Sequence, residues 1–301
     1  MASATGRRSK QAIYGAVMTV IAFELFAMMV PQLLGFAMAL LYPGASVQNP
    51  IGVPLGLQYA AVLLSAALPL ALAVWAAGRF GHSNRPQPRQ ELPLRKSVPV
   101  LLPIFLAVTI AASLLFGLAA PQTDPMTMPA RGAGLWVEFV CVCLIPALGE
   151  EYLFRGTVQT MLQPLGPWAA VWGQALLFGA AHAFGAPMLT AVVSGFALGL
   201  IYTLTGDLKL GMILHGANNF LGFWENYASQ YADTSLTMAV IVLLDLLLFA
   251  WAAAAAVYIK RSSWKNRLYP ADLSTGHGRL VRSPVFWAAL VCLVLTQRMN
   301  G

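Results

Sequence analysis

Eight long apolar stretches dominate the sequence, at roughly 13–41, 51–78, 98–119, 133–156, 167–186, 188–205, 209–224 and 235–259. A helix needs about 20 mostly apolar residues to cross a bilayer, and its backbone polar groups are then satisfied within the segment itself. Repeated runs of this kind predict an all-α fold, a polytopic transmembrane helical bundle of about eight spans. A soluble chain with the same runs would expose far more apolar surface than water tolerates. Only 10% of the residues are charged, and 58% are hydrophobic; soluble domains carry about 25% charged residues. The first stretch follows Arg7, Arg8 and Lys10, as a signal peptide's would. It is far longer than the roughly 7–15 apolar residues of a signal core, so it reads as a retained span.

Lysine and arginine set the orientation. The N-terminal tail holds Arg7, Arg8 and Lys10, and the stretch after the second span holds Arg79, Arg85, Arg89, Arg95 and Lys96. After the eighth span come Lys260, Arg261, Lys265, Arg267, Arg279 and Arg282, whereas the opposite loops offer Arg131, with Glu225 and Asp233 near 222–235. With eight spans the three basic segments share one side, which the positive-inside rule makes cytoplasmic. The expected protein sits in the cell's inner (cytoplasmic) membrane with both termini inside. The net charge of +7 then faces the lipid bilayer's inner surface, and no nucleic-acid partner is implied. Cys141, Cys143 and Cys292 all lie in apolar runs, with neither disulfide nor metal-type spacing. The apolar segment near 285–296 is too short to cross alone; re-entrant, interfacial and truncated-helix readings all stay open. The expected divisions are 1–130 for the first three spans, 131–228 for a polar-bearing core, and 229–301 for the last span and a basic cytoplasmic tail.

That core holds the residues needing most explanation. An ionisable group at membrane depth costs roughly 2.5–3.5 kcal/mol on insertion scales and marks a functional position by default. Spans four to seven contain Glu150, Glu151 and Arg155, then His182, then His215 and Asn219. Glu151 and Arg155 stand at i and i+4 in the favourable acid-before-base order, which neutralises Glu151 locally. Glu150 points about 100° away around the helix and is free to face other spans. Phe178 lies one turn before His182 with small residues between, allowing close helix approach. His215 and Asn219 share a face one turn apart. Pro164-Leu165-Gly166-Pro167 is a turn, and Glu150 and His182 each lie sixteen residues from Gly166, so an antiparallel hairpin holds them at equal depth, about 24 Å from the turn. Counting from Gly206 brings His215 to within a turn or two of that level.

In this order, E-E-x-x-x-R (Glu150, Glu151, Arg155), F-x-x-x-H (Phe178, His182) and H-x-x-x-N (His215, Asn219) resemble the three signature motifs of the CPBP family, the CAAX-protease and bacteriocin-processing membrane proteins, also called Abi. The resemblance covers about residues 133–225. It implies an intramembrane endopeptidase, a hydrolase of peptide bonds, in which Glu150 is the general base assisted by His182, and His215 and Asn219 stabilise the oxyanion. Glu151, Arg155 and Phe178 are supporting residues. The implied partner is a peptide or protein substrate at the membrane, prenylated CAAX proteins being one family substrate.

Alternatives stay open from sequence. Two histidines and a carboxylate are also a zinc set, so a zinc-dependent protease would use Glu150, His182 and His215. No H-E-x-x-H is present, and no cofactor is the favoured expectation. Ser194 near histidines raises a rhomboid-like serine protease, but it lacks the G-x-S context and precedes the H-x-x-x-N. A membrane scaffold or immunity protein is a non-enzymatic alternative. A proton-coupled transporter could use Glu24, Glu138 and Asp245, but the internal repeat that favours one is absent.

Overall fold

The computed structural model describes residues 2–44, 52–80, 93–117, 132–231, 234–264 and 278–300. Arg85, Arg89, Arg131, Asp233, Lys265 and Arg267, on which part of the orientation argument rests, lie outside the described residues.

Helices follow the apolar runs: α1 (Ala2–Leu41), α2 (Leu55–Phe80), α3 (Leu94–Gly117), the composite α4 (Ala133–Leu165), α5 (Pro167–Ala180), α6 (Ala186–Thr205), α7 (Leu208–Tyr231), α8 (Thr234–Arg261) and α9 (Pro284–Asn300). There are no strands among the described residues. Six of these, α1 to α4, α6 and α8, are long and apolar enough to cross a bilayer. The fifth expected span is a helix of only 14 residues, and the seventh carries too many polar residues to qualify by hydropathy. α5 runs through the interior of the bundle, whereas α7 buries only the face around Leu210, Leu214 and His215. Phe36, Leu115 and Leu246 point outward and are more than half exposed, as expected where the surrounding solvent is hydrocarbon. The protein is an integral membrane protein built as a polytopic helical bundle.

Two large packing centres hold the bundle, with a small third one around Met38, Val53 and Ala61. One joins Val17 and Val20 of α1, Ala73 of α2, Leu153, Phe154 and Leu162 of α4, Phe178 of α5 and Phe286 of α9. The other joins Leu101 and Phe105 of α3, Leu198 of α6, and Leu210 and Leu214 of α7. The short segment left open by the sequence is α9, a 17-residue helix packed on α1 and α5 with Phe286, Ala289 and Leu293 buried. It runs alongside α5: Trp287 lies by Trp168 and Trp172, while Arg298 reaches the Phe184 ring just beyond the other end of α5.

α4 departs most from expectation. It is not one regular helix over 133–156 but continues to Leu165, with π-helical segments at Val140–Leu144 and Glu151–Gln159. Such i→i+5 stretches are rare and cluster at functional sites. Pro146 contributes to the first: it has no N–H for the Val142 carbonyl four residues earlier. In the second, Thr157 and Thr160 hydroxyls donate to carbonyls five residues back, those of Tyr152 and Arg155.

Candidate active site

Glu150 and Glu151 divide their labour as their helix positions require. Glu151 opens the second π segment and is fully buried. Its Oε1 meets Arg155 Nη1 at 2.8 Å. Arg155 is itself fully buried, with its guanidinium 4.5 Å from the Phe178 ring centre and Nη2 donating to the Gly195 carbonyl at 3.4 Å. Glu150, one residue earlier, faces a cavity of about 530 Å³ that it shares with His182, His215 and Asn219. The structure therefore gathers these four residues in one cavity and sets Glu151, Arg155 and Phe178 behind them.

Both histidines have one ring nitrogen committed. His182 is not on a helix: α5 ends at Ala180, and His182 sits in the turn before α6, where Gly185 has a φ of 104° and Pro187 restricts the chain entering the next helix. Its Nδ1 lies 2.7 Å from the Phe178 carbonyl. A carbonyl only accepts, so Nδ1 carries the hydrogen and Nε2 is left for the cavity. His215 is buried, and its Nδ1 lies 2.9 Å from Glu151 Oε1. The carboxylate likewise fixes the proton on Nδ1, leaving Nε2 3.9 Å from Glu150 Oε2. No ion pair joins His182 to Glu150 among the described residues. Phe178 ties the pieces together, its ring 4.6 Å from that of His182 and 6.0 Å from that of His215, centre to centre.

Asn219 has a structural duty invisible in the motif. Its Nδ2 donates at 3.1 Å to the Val142 carbonyl, the group that Pro146 cannot serve. A primary amide has two N–H groups, so one bond leaves the other for a ligand in the cavity.

Several contributors carry no motif. A Cβ on Gly211 would lie 2.8 Å from Glu151 Oε2, so the glycine one turn before His215 makes room for the buried carboxylate. On α6, a Cβ on Gly195 would stand 2.9 Å from Phe178. The Gly195 carbonyl accepts from Gln174 at 2.7 Å, and the Gly199 carbonyl from Gln159 at 2.9 Å. The G-x-x-x-G spacing on α6 and G-x-x-x-H on α7 are the signals that could have found them, since small residues mark close helix approach. Ser194 donates to the Ala191 carbonyl of its own helix at 3.1 Å. Glu24 accepts from Gln297 of α9 at 2.9 Å, an interhelical bond.

The zinc alternative requires Glu150, His182 and His215 to converge. Among the described residues no group of three His, Cys, Asp or Glu side chains is arranged to hold a metal ion, so no step is routed through one.

Fold and cavity together define a helical membrane protein with a polar, carboxylate- and histidine-lined chamber between α4, α7 and the turn that follows α5. Residues 132–221 match the family described as type II CAAX prenyl endopeptidase, Rce1-like. The matched segment spans all three motifs, and it is similar to CAAX-type membrane endopeptidases. No curated protein matches the chain, and no solved structure does.

Proposed function

We propose that the protein is an intramembrane endopeptidase that hydrolyses peptide bonds of membrane-associated peptides with water activated by Glu150. The observation that carries this reading is the shared cavity: Glu150, His182, His215 and Asn219 line one polar chamber within the helical bundle.

Glu150 removes a proton from water. Nε2 of His182, bare because Nδ1–H is held by the Phe178 carbonyl, accepts the water's other hydrogen and aims its lone pair. The hydroxide adds to the scissile carbonyl, and the oxyanion is held by Nε2–H of His215 and the second N–H of Asn219. Preorganised donors of this kind contribute about 3–4 kcal/mol each. Glu150 then passes its proton to the departing amine, and the C–N bond breaks. Donation by His215 requires the imidazolium, because its Nδ1–H is already given to Glu151. No metal takes part in this scheme. The catalytic domain is 131–228; the three spans before it and the segment after it enclose it, and both termini face the cytoplasm.

The test compares membrane and secreted peptides of the host by mass spectrometry, wild type against Glu150→Ala at matched expression. Specific products that vanish in the variant support the reading and name the substrate. Unchanged peptide pools, with a null-strain phenotype rescued by Glu150→Ala, would favour a scaffold or immunity role. Cleavage by purified protein that persists with a strong zinc chelator supports the metal-free scheme; loss of cleavage, restored by added zinc, overturns it.

A further inference from the structure

The cavity is longer than the proposed chemistry needs. On α4, its wall repeats every fourth residue, Glu138, Val142, Pro146 and Glu150. On α7, its wall runs from His215 through Asn218 and Asn219 to Asn226, again one helical face. At 1.5 Å per residue, Glu138 stands about 18 Å along the helix from Glu150. The cavity is thus a groove between two helices, with the Glu150–His215 pair at one end and Glu138 at the other. Phe139 wedges against Phe220 and Phe223 of α7, with ring centres 6.2 and 5.9 Å apart, and these contacts brace the two walls.

Glu138 has no other assignment. It is half-buried in a candidate membrane span, and its carboxylate makes no hydrogen bond or ion pair with any described residue. Glu151, in the same helix, has both an arginine and a histidine, and Glu24 has a glutamine. A half-buried carboxylate left without a partner is an open site for a cation, and Glu138 faces the groove. Asn218 likewise lines the groove with no hydrogen bond to the protein among the described residues, offering its amide to a peptide backbone.

Resting on the proteolytic reading, we infer that Glu138 is a specificity residue, binding a cationic side chain of a peptide laid along the α4–α7 groove. An extended chain advances about 3.3 Å per residue, so the lysine or arginine lies about five residues from the scissile bond. Like-charge repulsion at Glu138 penalises a substrate acid at the same point.

The test uses the full chain in detergent micelles and a set of dye-labelled apolar peptides. Each carries one Lys, Gln or Glu at a successive position, and mass spectrometry of the products locates the cut. Wild type is expected to cleave the Lys peptides with kcat/KM about tenfold above their Gln counterparts when Lys lies about five residues from the cut. Glu138→Gln brings the Lys-to-Gln ratio close to one, and Glu138→Lys turns the preference toward Glu. Cleavage by wild type without charge preference, or a preference that survives Glu138→Gln, overturns the inference and leaves the protease reading standing. A monodisperse wild-type protein that cuts none of the peptides counts against both.

Discussion

His215 Nδ1 and Glu151 Oε1 lie 2.9 Å apart, and the same oxygen meets Arg155 Nη1 at 2.8 Å. The buried glutamate thus bridges a cation and the histidine that faces the cavity, while its neighbour Glu150 meets the opposite nitrogen of that ring. Two adjacent carboxylates have different jobs for a geometric reason, and mutation should separate them.

Glu151→Ala strands a fully buried arginine, and breaking a buried pair costs about 3–5 kcal/mol. Glu150→Ala removes a cavity-facing carboxylate and leaves the buried pair intact. The expected outcome is a large fall in thermal stability in micelles for Glu151→Ala and a small one for Glu150→Ala, with peptide cleavage abolished in the latter. Equal melting shifts would contradict this division.

Gly211→Ala directs a methyl at Glu151 Oε2, 2.8 Å away on the native backbone. Overpacking of this sort costs roughly 1–3 kcal/mol, and here the displaced group orients His215. Cleavage should fall by about tenfold or more, as when a partner orienting a functional histidine is disturbed. Gly78→Ala in α2, with nothing within 4 Å of the added carbon, should melt and cleave like wild type.

Asn219 has two roles that a double variant can part. Asn219→Ala leaves the Val142 carbonyl without this donor, a bond at the exposed cavity wall worth about 0.5–1.5 kcal/mol, and also removes the proposed oxyanion donor. Adding Pro146→Ala supplies the missing backbone N–H one turn along. Thermal melting should then recover part of the loss while cleavage stays low. Recovery of both would mean that Asn219 acts only through the α4 backbone.

The six long spans were legible because hydrocarbon imposes a length and an apolar composition on any single helix crossing it. The Glu151–Arg155 pair was legible too, because i and i+4 meet on any helix. Other features depended on contacts distant in sequence. Asn219 and Val142 are 77 residues apart, and no local rule links them. The π segments of α4 share their apolar pattern with an ordinary helix, so neither Val140–Leu144 nor Glu151–Gln159 could be foreseen. His182 reads as helical from its F-x-x-x-H spacing, yet α5 ends at Ala180 and the His182 ring folds back on the Phe178 carbonyl.

By itself, the sequence determined an all-helical membrane bundle and a short roster of polar residues in its core, since burying such groups in an apolar phase is too costly to be incidental. Tertiary structure alone decided which carboxylate faces the cavity, which nitrogen of each histidine is free, and that 285–296 belongs to a helix packed against α1 and α5. These are matters of partner and direction, set when helices far apart in the chain close on one another and each buried donor finds its acceptor.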